Sequence, residues 1–208
     1  MNIKTVTIVG ANGTMGRNVA AIFASFGDAT VYMVSRTIEK SKLAIQKSCA
    51  SVKADSIVRK MIPADYSMLK DCVEKSDLIF ECVAENLAVK NEITKKIASY
   101  QRNHTICCTG TSGLSITALS MNFDEESRKN YLGVHLFNPP YSMTLCEVIP
   151  TEFTAVSLLT QMEQYLESTL HRTVVRVKDS PAFLGNRIGF QFINEALQYA
   201  EKYKDNGG

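Results

Sequence analysis

The sequence predicts an α/β fold: a doubly wound, mostly parallel sheet with antiparallel edge strands, followed by a long C-terminal helix. Three observations carry this. Short β-branched runs alternate with segments of helical periodicity. The strand-like runs are apolar almost throughout, as in a sheet covered on both faces. A glycine triplet follows the first run and opens the first helical segment.

The predicted strands are 3–9, 30–35, 77–83, 104–109, 131–137, 144–149 and 172–177; the predicted helices are 14–26, 38–50, 65–74, 86–99, 152–168 and 181–203. The opening Met-Asn-Ile-Lys-Thr-Val-Thr-Ile-Val-Gly is too short and too alternating for a signal peptide and reads as the first strand. Strands 131–137 and 144–149 are separated only by a short Pro-containing loop, which predicts an antiparallel addition at the sheet edge. In Asp179-Ser180-Pro181, Ser180 suits an N-cap and Pro181 a first helical position. Apolar residues then recur from Phe183 to Ala200, so this helix needs packing partners.

Composition narrows the function. Of 208 residues, 45% are apolar and 21% charged, enough for a sizeable core. The 23 basic and 21 acidic residues are interspersed without a basic block, so no nucleic-acid partner is expected. No apolar run approaches the roughly 18–20 residues of a membrane span. The six cysteines form no Cys-x-x-Cys pair and no ligand cluster, so they read as reduced thiols of a cytoplasmic protein, with no metal site.

Residues 6–16 read Val-Thr-Ile-Val-Gly-Ala-Asn-Gly-Thr-Met-Gly. Gly10 permits a tight turn, Gly13 lets a pyrophosphate approach, and Gly16 lets helix and strand lie close. With Asn12, Thr14 and Met15 they form a candidate dinucleotide-binding turn, and the fold becomes Rossmann-like. The second strand ends in Ser35-Arg36-Thr37 with no carboxylate to read a ribose. That trio suits the 2′-phosphate of NADP(H), which stands level with NAD(H) as the expected cofactor. Alternatively Arg36 stacks on adenine or points into solvent.

Two apolar runs carry ionisable residues twelve positions apart, His135 and Glu147. A histidine titrates near neutral pH and serves as an acid/base, and a carboxylate on the next strand can fix its tautomer. Taken alone, His135 reads as a core histidine; His104 and His171 read as structural. Glu81, within Ile-Phe-Glu-Cys-Val, must find a partner if buried and has no assigned role. Lys40, Lys42, Lys47, Lys53, Arg59 and Lys60 form a solvated basic face or, at Lys53 or Lys60, an anchor for coenzyme A phosphates.

Five ordered motifs resemble the 3-hydroxyacyl-CoA dehydrogenases: Gly10-Ala-Asn-Gly-Thr-Met-Gly16, Ser76 to Lys90, Thr109-Gly-Thr-Ser-Gly-Leu114, Gly133-Val-His-Leu-Phe-Asn-Pro139 with Glu147 following, and Asp179-Ser-Pro-Ala-Phe-Leu-Gly-Asn-Arg187. The resemblance covers essentially the whole chain. It implies reversible oxidation of a 3-hydroxyacyl-CoA with hydride transfer to a nicotinamide cofactor, an acyl-CoA substrate and a homodimer in the full-length protein. It implies that His135 is the base, Glu147 its partner and Asn138 a support nearby. Ser112 is then a hydrogen-bond partner of the substrate oxygen at C3, and Asn186 faces the substrate. Glu85 and Lys90 lie near the nicotinamide.

Three departures stand out. Ser35 replaces the family's ribose-binding aspartate, Gly110 replaces an asparagine of the 109–114 loop, and only the opening helix of the family's second, all-helical domain is present. Residues 1–178 are therefore expected to form the dinucleotide-binding domain, and 179–208 the opening helix of a truncated helical domain. Two other functions fit fewer of the motifs: another β-hydroxyacid-type, NADP-dependent dehydrogenase, and a non-catalytic dinucleotide-binding module.

Overall fold

The computed structural model describes residues 1–204. In chain order the elements are β1 (Thr5–Val9), α1 (Thr14–Ser25), β2 (Thr30–Ser35), α2 (Ile38–Val52), β3 (Met61–Asp65), α3 (Leu69–Lys75), β4 (Leu78–Glu81), α4 (Leu87–Tyr100), β5 (Ile106–Thr109), α5 (Ile116–Ser120), α6 (Glu125–Arg128), β6 (Tyr131–Leu136), β7 (Leu145–Pro150), α7 (Val156–Ser168), β8 (Thr173–Arg176) and α8 (Gly185–Tyr203). The strands form one sheet in the order β3-β2-β1-β4-β5-β6-β7-β8. The first six strands are mutually parallel. β7 runs antiparallel to β6, and β8 runs parallel to β7. The first six strands have the Rossmann order, which leaves a crevice where winding reverses between β1 and β4.

Successive residues of a strand face opposite sides of the sheet. Val6 and Ile8 of β1 join a core with α1, α2 and α7, whereas Val9 joins a second core with α3, α4 and α5. Thr7, fully buried, donates its hydroxyl hydrogen to the Cys72 carbonyl at 3.1 Å and lies 2.8 Å from the Ser76 hydroxyl. All six cysteines are free; five are buried and Cys82 is half-buried. Among the described residues no helix is long and apolar enough to cross a membrane.

The structure departs from the sequence reading at four places. β3 was absent from the predicted strands because Pro63 interrupts its run; the proline is tolerated because β3 is an edge strand. α5 and α6 are too short to show a helical period. α7 begins at Val156 rather than 152, because a hydrogen-bonded turn between Thr151 and Thr154 comes first. α8 begins at Gly185 with Leu184 as its N-cap, so Ser180 caps nothing and Pro181 lies outside the helix. Residues 181–184 form a turn with Ala182 and Phe183 at positive φ. Asp179 is drawn away to α5, accepting from the Ile116 amide (3.0 Å), the Thr117 amide (2.8 Å) and the Ser115 hydroxyl (3.0 Å).

Candidate active site

The crevice begins at Gly10, whose φ of 88° is natural only for glycine; a Cβ there would lie 2.6 Å from the Cys82 carbonyl oxygen. The Gly10 and Ala11 amides both donate to the Val34 carbonyl at 3.0 Å, which ties the turn to β2. α1 starts behind Gly13 with no side-chain cap and no acidic residue in its first turn. Its N–H groups and dipole therefore remain available to an anion. Gly10, Asn12, Gly13, Arg36, Tyr66 and Val83 line a cleft of about 360 Å³ beside it. Asn12 and Thr14 are exposed there, while Met15 packs half-buried on the core. An open glycine turn, a free helix N-terminus and a lateral guanidinium fit the pyrophosphate and ribose of a nicotinamide dinucleotide.

The expected trio at the end of β2 divides. Arg36 is exposed and lines the cleft. Ser35 is fully buried, and its hydroxyl has no partner among the described residues. Thr37 caps α2, accepting from the Lys40 amide at 3.3 Å. The Glu39 carboxylate is held below its usual range by its own backbone amide and the Thr37 hydroxyl. Of the phosphate cradle drawn from sequence, Arg36 alone faces the cleft.

β6 and β7 pair in register so that His135 faces Glu147. His135 Nδ1 and Glu147 Oε2 are 2.7 Å apart, at 4% and 1% residue exposure. The other oxygen, Oε1, accepts from the Leu184 amide at 3.0 Å and the Gly185 amide at 2.7 Å. With both oxygens accepting, Nδ1–H donates, and Nε2 is left as the nitrogen that can take a proton. Phe137 and Phe183 set the ring edgewise and tilted, with centroids 4.7 and 5.6 Å from it. Glu147 thus has two functions: it orients the imidazole and anchors the start of α8.

α8 then returns to the 109–114 loop. Asn186 Nδ2 donates to the Ser112 carbonyl at 3.1 Å. The Ser112 amide donates to Glu85 Oε1 at 2.9 Å, and the Thr111 hydroxyl donates to the same oxygen. Ser112 is therefore held through its main chain while the residue itself stays exposed. Lys90 Nζ lies 3.5 Å from Glu85 Oε2 but points mainly inward, 2.8 Å from Glu81 Oε1. An unbroken path of polar contacts runs His135–Glu147–Gly185, along the chain to Asn186, then Ser112–Glu85–Lys90–Glu81. Asn138 stands exposed past the end of β6. At Gly110 a Cβ would lie 2.9 Å from the Phe80 ring, so that ring limits any side chain at this position.

The arrangement brings Ser112, Asn186, Glu85, Lys90, His135 and Glu147 together, and holds Ser35 apart. Sequence reasoning missed the Thr111 hydroxyl and the Leu184 and Gly185 amides as holders of the site, and Thr109, whose hydroxyl donates to Glu81 at 2.7 Å. Glu81 was visible in sequence as a carboxylate in an apolar run, a signal that a partner must exist. Chemically, an imidazole oriented by a buried carboxylate lies on a sheet whose β1–β4 crevice fits a dinucleotide. Among the described residues no cluster of His, Cys, Asp and Glu could hold a metal ion.

A family model described as "3-hydroxyacyl-CoA dehydrogenase, NAD binding domain" matches residues 5–180. The mitochondrial hydroxyacyl-coenzyme A dehydrogenase of Sus scrofa is 32% identical over 216 residues, covering 96% of this chain and 67% of that protein. A probable 3-hydroxyacyl-CoA dehydrogenase of Deinococcus radiodurans is 29% identical over 98% of this chain and 61% of its own. Among solved structures, the 3-hydroxybutyryl-CoA dehydrogenase of Escherichia coli superposes with a TM-score of 0.85 at 26% identity, over 98% of this chain and 44% of that one. The (S)-3-hydroxybutyryl-CoA dehydrogenase of Ralstonia eutropha gives 0.83 at 28% identity, over 93% and 70%.

Proposed function

The chain belongs to the 3-hydroxyacyl-CoA dehydrogenase family, and on that premise we propose that it oxidises a 3-hydroxyacyl-CoA reversibly to the 3-oxoacyl-CoA. The observation that carries this reading is the buried contact between His135 Nδ1 and Glu147 Oε2, with Oε1 bound by the start of α8. When bound, the nicotinamide supplies the chemistry of accepting the hydride from C3. The rest falls to this chain. His135 Nε2 takes the hydroxyl proton, and Glu147 balances the imidazolium that results. The Ser112 hydroxyl and the Asn186 amide hold the oxygen as its charge develops. Asn138 supports the loop beside His135.

Gly13 and the open start of α1, with Asn12 and Thr14 beside it, hold the pyrophosphate on a turn shaped by Gly10, Met15 and Gly16, with Glu85 and Lys90 at the nicotinamide end. NAD(H) is the family's typical cofactor. Arg36 in the cleft is the observation that favours NADP(H), through an ion pair with a 2′-phosphate. Residues 1–178 are read as the dinucleotide unit and 179–208 as the opening of a helical unit through which a homodimer forms. The exposed Ile188, Phe192 and Leu197 on α8 support that reading.

Reduction of acetoacetyl-CoA by NADH and by NADPH tests the activity. Turnover that drops about 10²–10⁴-fold in His135→Ala supports it. Turnover with neither cofactor, or an unaffected His135→Ala, refutes it. Calorimetry with both dinucleotides tests Arg36: an NADP(H) preference abolished in Arg36→Ala supports its role, and equal binding of both removes it.

A further inference from the structure

Three donors converge on the Glu81 carboxylate at the end of β4: the Val83 amide (2.6 Å), the Lys90 ammonium (2.8 and 3.1 Å) and the Thr109 hydroxyl (2.7 Å). Side-chain exposure is 3% for Glu81 and 1% for Lys90. A buried ion pair of this kind brings little net stability over a well-packed neutral replacement. Its geometry shows another use. The ammonium continues past Glu81, to 3.4 Å from the Val83 carbonyl and 3.5 Å from Glu85 Oε2. Glu85 in turn accepts the Thr111 hydroxyl and the Ser112 amide on its other oxygen. The series alternates carboxylate, ammonium, carboxylate, loop: Glu81 and Lys90 are buried, and the Glu85 side chain beyond them is 46% exposed.

We propose that Glu81 and Lys90 are positioning residues: the buried pair fixes the Glu85 carboxylate and, through it, the main chain of the Ser112 loop against α8. A half-exposed carboxylate held by loop donors alone would be screened by water and free to move. A cation behind it, immobilised by its own buried counter-charge, sets where it stands. The inference rests on reading Ser112 as the contact to the substrate oxygen. Glu81 touches no reacting atom in that reading and acts only through Lys90 and Glu85.

The test compares Glu81→Gln, Lys90→Met and the double variant with the full chain. Three quantities are read: Tm, exchange of the Ser112 amide hydrogen, and kcat and KM for acetoacetyl-CoA with reduced nicotinamide. Each single variant leaves one buried charge unpaired and lowers Tm; the double variant removes both charges and recovers it. In the double variant the Ser112 amide still exchanges faster than in the wild type. Its kcat stays about 100-fold low, since small misplacements near the reacting centre have that effect, while KM changes far less. Recovery of exchange and kcat together with Tm would mean a purely structural pair and overturns the inference. If the unmodified chain fails to turn over, the functional reading fails by itself. The exchange measurement still decides: fast exchange in the double variant supports positioning, and wild-type exchange refutes it.

Discussion

Replacing Glu147 by glutamine separates the orienting role of this carboxylate from its structural one. Glu147 serves three donors: His135 Nδ1 at 2.7 Å, the Gly185 amide at 2.7 Å and the Leu184 amide at 3.0 Å. A glutamine carbonyl can keep both backbone donors. Its amide nitrogen then faces His135 and must donate, so Nδ1 becomes the acceptor and the proton moves to Nε2. The ring has not moved, yet the base is lost. General-base work is worth about 10²–10⁴-fold, and the same tautomer switch in a serine-protease triad costs about 10⁴-fold. We expect kcat for acetoacetyl-CoA reduction to fall by about 10³–10⁴-fold. Stability should fall by only about 1–2 kcal/mol, because charge-assisted bonds become neutral but none is left unmade. Glu147→Ala differs: it strands the buried His135 donor at about 1–3 kcal/mol and leaves the part-buried Leu184 and Gly185 amides to water at a smaller cost, so it should be clearly less stable than the glutamine variant. The assay pairs initial rates, followed by reduced-nicotinamide absorbance, with thermal unfolding of both variants. A glutamine variant with wild-type kcat, beside an inactive His135→Ala, would refute the tautomer argument. A glutamine variant as unstable as the alanine one would refute the hydrogen-bond accounting.

Other outcomes follow from the same geometry. Gly10→Ala places a Cβ at positive φ, 2.6 Å from the Cys82 carbonyl oxygen. It should lose about 1–3 kcal/mol and abolish dinucleotide binding, read by unfolding and by calorimetry. For Asp179, burial pushes the carboxyl up, but hydrogen bonds from the Thr117 and Ile116 amides and the Thr117 and Ser115 side chains outweigh it and hold it below 3.8. A lowered folded value contributes stability above the unfolded one and loses it as pH falls through the folded one. Asp179→Asn should therefore cost about 1 kcal/mol at neutral pH, with the gap to wild type closing in unfolding curves recorded below pH 3.8. Burial raises the thiols of Cys107, Cys108 and Cys146, the last to about 12. Mass spectrometry after alkylation at neutral pH should show these three unlabelled in the native chain and labelled once it is unfolded.

What was readable in the sequence was local. The Gly10–Gly16 turn was evident because turn chemistry is set by neighbouring residues and lies between the first strand and the first helix. Most strands and helices were visible because burial on both faces leaves apolar runs and helical periods. His135 and Glu147 were legible as ionisable residues in apolar runs, and the resemblance paired them. Local signals failed where distant groups competed. The Ser180-Pro181 start of the last helix is good local chemistry, but Asp179 is taken by α5 and Glu147 captures the amides of Leu184 and Gly185. Ser35 looked like a ligand contact, yet the strand end buries it and leaves Arg36 in the cleft. The sequence by itself determined the turn, the strand and helix segments, and the presence of a base and a carboxylate. Tertiary structure alone decided the register that brings them 2.7 Å apart and the burial that joins Lys90 to Glu81. Contacts between residues far apart in the chain depend on how sheet and helices pack, and no local residue pattern encodes that.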